Sequence, residues 1–247
     1  MTLSPAESAR YARHLVLKGV GGAGQQKISR SRVLVVGAGG LGSPVIAYLA
    51  AAGVGTLGVA DPDTVSVSNL QRQILYGEAN GGQPKTAGAE AFVGRINPHV
   101  RFVAYPVGVD PEIAAEIVAG YNLVIEGTDS FETKRAVADA CARARVPLVM
   151  GALGQFDGSL TVLMPYAGAN PSFADLYPET PGPEDSPPCE LAGVLNVLPG
   201  IVGTMMANEA LKLIAGYGQP LVGKLLVYSA RSGETTILRY GRAAKEV

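Results

Sequence analysis

The stretch RVLVVGAGGLGS, Arg32 to Ser43, decides the fold. It opens an alternation of short β-branched runs with longer alanine-rich segments, the pattern expected of parallel strands joined by crossover helices. The run Val33 to Val36 leads into Gly37, Gly39 and Gly42, spaced G-x-G-x-x-G, and the alanine-rich segment Gly42 to Ala52 predicts a helix. Strand, glycine turn and helix in this order form the dinucleotide-binding fingerprint. Residues without side chains let the turn close and let backbone N–H groups approach phosphate, and the helix N-terminus adds a favourable partial charge. The next strand, TLGVAD, ends about twenty residues on at Asp61, whose carboxylate can accept from ribose hydroxyls. A nucleotide is implied, but Asp61 would suit NAD in a dehydrogenase equally well, so its identity stays open at this point.

Outward from this unit, RFVAYP and NLVIEG read as further strands, with helical segments at Lys85 to Ile96, Pro111 to Val118 and Phe131 to Arg145. This half predicts a doubly wound parallel sheet. Beyond Pro147 the strands PLVMGAL and SLTVLMP lie too close in sequence for a crossover helix, which predicts antiparallel pairing. A helix at Val202 to Ala215 and the strands KLLVYSA and ETTILRY follow. The expected class is therefore α/β, with a Rossmann-like mixed sheet, parallel in its N-terminal half and antiparallel in its C-terminal strands. One domain over residues 1–247 is expected, with an N-terminal helix at Pro5 to Lys18. Residues 165–190 hold seven prolines and no apolar period, which predicts a long mobile loop.

Composition limits the function. With 47% hydrophobic residues in 247, the chain can bury one substantial core. Lys and Arg total 20 against 21 Asp and Glu, so no overall field would gather nucleic acid or anionic lipid, and neither partner is expected. The opening MTLSPAESAR lacks the basic start and apolar core of a secretion signal, so a cytoplasmic location is expected. Asn196, Pro199, Asn208, Glu209 and Lys212 interrupt the apolar stretch from Gly193 to Gly216, which argues against a membrane span.

The residues that discriminate between nucleotides follow Asp61 at once: DPDTVSVSNLQRQ to Gln73, then QPK ending at Lys85, then EGTDS ending at Ser130. The set GAGGLGS, D-x-D-x-V-x-x-S-N-L-x-R-Q, G-x-P-K and T-D resembles the ubiquitin-activating enzyme superfamily, and within it the bacterial MoeB and ThiF branch. The similarity runs from RYARHLVL to the last strands. It implies that ATP and magnesium convert a partner protein's terminal glycine carboxylate to an acyl-adenylate with release of pyrophosphate. That partner would be a small ubiquitin-like sulfur carrier ending in Gly-Gly, a tail without side chains that can thread a narrow channel.

By the same resemblance, Gly39 and Gly40 would line the phosphates, with Gly37 and Gly42 in the same cofactor-binding turn, and Asp61 would hold ribose. Ser68, Asn69, Leu70, Gln71, Arg72 and Gln73, with Lys85, would face the triphosphate, and Asp129 would hold magnesium beside Ser130. Arg72 can offer phosphate a planar fork and Lys85 a point charge, tools that adenylation needs and hydride transfer does not. Each residue also has a plainer reading: Arg72 and Lys85 as solvated charges, Asn69 as a turn cap, Asp129 as a helix N-cap.

The RYAR motif resembles a family R-Y-x-R whose second arginine, here Arg13, reaches into a neighbouring subunit's site, implying a homodimer. Cys189, in PPCELAGVL, resembles a family cysteine able to form a thioester or persulfide. Cys141 has helical spacing and reads as core. Many relatives carry two C-x-x-C pairs for zinc. Here Ser172 and Asp175 stand at the first pair and YGRAAKEV ends without cysteine, so no zinc is expected. The loop 165–190 is a candidate cover for the carrier's tail. A separate sulfurtransferase or desulfurase would supply sulfur. Competing readings are a dehydrogenase, an RNA- or peptide-modifying relative, and a non-catalytic subunit.

Overall fold

The computed structural model describes residues 3–179 and 193–242. The parallel strands are β1 (Arg32–Val36), β2 (Thr56–Ala60), β3 (Arg101–Tyr105), β4 (Leu123–Glu126) and β5 (Leu148–Leu153); β6 (Asp157–Leu163), β7 (Lys224–Ser229) and β8 (Thr235–Arg239) join antiparallel. All lie in one sheet of order β3-β2-β1-β4-β5-β6-β7-β8, with β1 between β2 and β4. The expected mixed sheet is therefore present, with its change of direction after β5.

Successive side chains of a strand point to opposite faces, and β1 supplies both cores. Val33 and Val35 pack with Val45, Leu49 and Met206, from helices α4 (Gly42–Ala52) and α9 (Val197–Ala215). Leu34 and Val36 pack with Ala114, Val118, Val137 and Cys141, from α6 (Pro111–Val118) and α7 (Phe131–Ala144). Helix α5 (Lys85–Ile96) joins the first face through Ala89 and Val93. By length and apolar composition α9 could cross a membrane, yet Leu198, Val202, Met206 and Ala210 are buried and the helix packs on α4, β5 and β6. It begins at Val197, ahead of the expected Val202, because Pro199 falls in the first turn, where no backbone N–H is needed.

The expected helix over Pro5 to Lys18 is two short ones, α1 (Pro5–Arg10) and α2 (Ala12–Leu15), broken at Tyr11. The Tyr11 ring is buried against Gly53, and its hydroxyl accepts from Asn97 Nδ2 at 2.9 Å. Helix α3 (Gly21–Arg30) has no counterpart in the sequence reading, because three of its first four residues are glycine, which has weak helix propensity. Tertiary bonds hold it: buried Gln25 donates to the Ala52 carbonyl at 2.8 Å and pairs with His14 Nδ1 at 2.8 Å. Within the expected loop 165–190, the described part forms α8 (Phe173–Leu176), whose Phe173 and nearby Tyr177 stack on Phe131 of α7. Residues 180–192 lie outside the described residues.

Candidate nucleotide-binding site

The loops after β1, β2 and β4 open onto a cavity of about 520 Å³ at the point where strand order reverses, with Val107, Gly108 and Val109 after β3 forming a further wall. Such a reversal leaves a crevice between diverging loops at the carboxyl ends of the strands, which is where open α/β sheets bind ligands. Gly37 turns the chain with φ +91°, and a side chain there would press on Thr128 and the Gly127 carbonyl. Gly42 is packed beneath the turn, where an added Cβ would run into the Gly37 carbonyl oxygen. The turn is braced on both sides: the Ala38 N–H donates to Asp61 Oδ2 at 2.7 Å, and the Tyr76 hydroxyl donates to the Ala38 carbonyl at 2.8 Å.

Asp61 is thus partly committed to the turn itself, a duty the sequence does not reveal. Its other oxygen accepts from the Asp63 N–H at 2.9 Å. Burial raises the Asp61 carboxyl above its ordinary value, with Lys85 and the two amides opposing. Lys85 is buried at the first residue of α5, its Nζ 2.7 Å from Asp63 Oδ2 and 3.8 Å from Asp61 Oδ1. Arg72 donates to the Ser68 carbonyl at 3.1 Å and lines the cavity. Beside it Gln73 is buried, and its Oε1 has no partner among the described residues. Asn69 caps a short 3₁₀ turn, Val67–Asn69, and also lines the cavity.

On the β4 side, Ser130 rather than Asp129 caps α7: its hydroxyl accepts from the Thr133 N–H at 3.2 Å. Asp129 is exposed at the cavity with its carboxylate uncommitted among the described residues. The turn carrying it is fixed from below. Glu126, wholly buried, accepts from the Thr128 N–H at 2.7 Å, from the Thr128 hydroxyl and from Lys134 Nζ, which also donates to the Gly151 carbonyl at 2.7 Å. Desolvation pushes the Glu126 carboxyl up against the pull of Lys134 and Thr128. Among the described residues no three His, Cys, Asp or Glu side chains group as metal ligands. The uncommitted Asp129 carboxylate, on a cavity that also holds a glycine turn, is of the kind that holds magnesium, an ion commonly bound by one or two carboxylates plus substrate phosphates.

The structure therefore brings together Gly37, Gly39, Gly40, Asp61, Asn69, Arg72, Gln73, Lys85, Asp129 and Ser130 on one cavity. Gly42, Ser68, Leu70 and Gln71 do not line it: the first supports the turn, and the others belong to the turn that presents Asn69 and Arg72. Arg13 is exposed on α2 and takes no part in this chain's own cavity. Cys189 lies outside the described residues. Cys141 is core, and burial pushes its thiol up. Ser172 and Asp175 form a capping box at the start of α8, with Ser172 N–H to Asp175 Oδ2 at 2.7 Å. Sequence reasoning missed Asp63, Thr128, Glu126 and Lys134 as cavity or support residues. Asp63 was present in the D-x-D motif, but pairing Glu126 on a strand with Lys134 on a helix leaves no periodic signal.

The sequence matches the ThiF family over residues 11–246. It is 46% identical over 233 residues to the sulfur carrier protein adenylyltransferase of Thermus thermophilus, covering 93% of this chain and 86% of that protein. It is 44% identical over 230 residues to the SAMP-activating enzyme E1 of Haloferax volcanii, covering 93% and 84%. A crystal structure of E. coli MccB with MccA superposes with a TM-score of 0.83 at 19% identity, over 96% of this chain and 73% of that one, a likeness of fold. With the nucleotide fingerprint, the D-x-D and S-N-L-x-R-Q segments and the T-D turn all converging on one cavity, and the family pattern matched over nearly the whole chain, this protein belongs to the ThiF family.

Proposed function

We propose that this chain uses ATP and magnesium to adenylate the C-terminal glycine carboxylate of a small ubiquitin-like sulfur-carrier protein. One observation carries the reading: Asp61 and Arg72 from one segment, Lys85 from a second and Asp129 from a third meet on one cavity together with a glycine turn suited to phosphate. A carboxylate oxygen of the carrier attacks the α-phosphorus, a new P–O bond forms, and pyrophosphate departs with the electron pair of the broken bond. The attack brings anion to anion, so the site must offset charge and align the attacker. Arg72 and Lys85 supply positive charge to the phosphates, Asp61 faces the ribose, and Asp129 would hold magnesium. When bound, that ion offsets charge on the phosphate oxygens.

The name of the Thermus thermophilus relative supports a sulfur carrier as the substrate, and a tail ending in glycines suits a narrow approach. A second copy is proposed to supply Arg13. That arginine is followed on the surface by Val16 and Leu17, 78% and 53% exposed, apolar side chains at a spot where a subunit contact would cover them. Sulfur would come from a separate sulfurtransferase or desulfurase, and the reaction would take place in the cytoplasm.

ATP–pyrophosphate exchange tests the reading, with Gly-Gly carriers and wild type beside Arg72→Ala and Asp129→Ala. Carrier-stimulated exchange that falls by about a hundredfold or more in each variant is expected. No exchange with any carrier would overturn it. Sedimentation velocity tests the dimer, and Arg13→Ala should lose exchange while sedimenting as wild type.

A further inference from the structure

Lys85 is in an electrostatically awkward place. It is a buried cation at the N-terminus of α5, the end of a helix that favours negative charge. A buried ammonium needs a counter-ion, and two carboxylates supply it with opposite freedoms. Asp61 is fixed: it is buried, and both oxygens already accept backbone N–H groups, from Ala38 and Asp63. Asp63 holds Lys85 more closely, at 2.7 Å, yet its side chain is 62% exposed and accepts no other hydrogen bond among the described residues. The backbone around the pair is set independently, with the Lys85 N–H donating to the Asp63 carbonyl at 2.9 Å and Thr64 bridging to Pro84.

We propose that Asp63 is an exchangeable counter-ion, a positioning residue that keeps Lys85 at the cavity wall and gives it up to phosphate when the nucleotide arrives. The inference rests on the nucleotide reading above. The exposed carboxylate can rotate into water at little cost, while Asp61 stays to brace the turn. Asp63 therefore competes with phosphate for one ammonium, which weakens the hold on ATP and on departing pyrophosphate alike.

Isothermal titration with ATP and with pyrophosphate, each with magnesium, tests this in wild type, Asp63→Asn, Asp63→Glu, Lys85→Ala and the Asp63→Asn/Lys85→Ala double variant. Asp63→Asn should bind both ligands about fivefold more tightly, the scale of an exposed ion pair. Asp63→Glu should stay near wild type, and the gain should largely vanish in the Lys85→Ala background, a coupling that a purely structural role would not produce. Unchanged or weaker binding by Asp63→Asn, with ATP still bound by wild type, would overturn the inference alone. So would equal tightening in both backgrounds, which would assign the effect to the general field of the cavity. Failure of wild type to bind ATP would overturn the nucleotide reading and this inference with it.

Discussion

Lys134 on α7 and Glu126 at the end of β4 form a buried ion pair directly beneath the turn that presents Asp129. The carboxylate is completely enclosed, and the ammonium spans from it to the Gly151 carbonyl of β5, so one lysine joins two strands and a helix at the cavity floor.

Removing only one charge should be worse than removing both. Lys134→Met leaves Glu126 buried without its cation and should cost about 3–5 kcal/mol, whereas Glu126→Gln with Lys134→Met should recover most of that loss. Urea denaturation of wild type, the single and the double variant measures the difference; a double variant no more stable than Lys134→Met would contradict the account.

Glycines of the same chain should respond in opposite directions. Gly42→Ala must displace the Gly37 carbonyl and should destabilise by about 1–3 kcal/mol while impairing ATP binding. Gly94→Ala, in α5 with open space around the position, should stabilise by about 0.4–1 kcal/mol by restricting the unfolded chain. Thermal melts of the two variants, read beside ATP titrations, check both signs.

The raised carboxyl of Asp61 sets a pH dependence. Its folded value lies above the ordinary 3.8, so between the two the folded protein binds more protons than the unfolded chain. The stability this group contributes is therefore full below the ordinary value and is lost as pH rises through the folded one. The difference in unfolding free energy between wild type and Asp61→Asn should shift toward wild type on going from neutral pH to about pH 4. A difference that is flat with pH, or that shifts the other way, would show that Asp61 is not raised by burial.

Cys141 should be inert in the folded protein. It is 2% exposed, and burial holds its thiol well above the ordinary range, so little reactive thiolate forms. In a Cys189→Ser background, N-ethylmaleimide should label native protein negligibly and label it fully in urea, read by mass spectrometry.

The sequence alone determined the elements whose signal is local. The apolar run Val33 to Val36, the glycine spacing after it and the helical character of Pro111 to Val118 give that strand, turn and helix within a residue or so, because backbone sterics and hydrophobic period act over a few neighbours. Motif order likewise marked Asp61, Arg72, Lys85 and Asp129. Tertiary structure alone decided what holds those residues in place. Helix α3 forms despite its glycines because Gln25 is bonded to Ala52, and the N-terminal helix breaks because Tyr11 is drawn toward Asn97. Lys134 serves Glu126 and Asp63 serves Lys85 only because the sheet order brings the loops after β1, β2 and β4 to one crevice. Charge pairs of this kind depend on distance through space, and distance through space is set by how the strands are ordered and not by spacing along the chain.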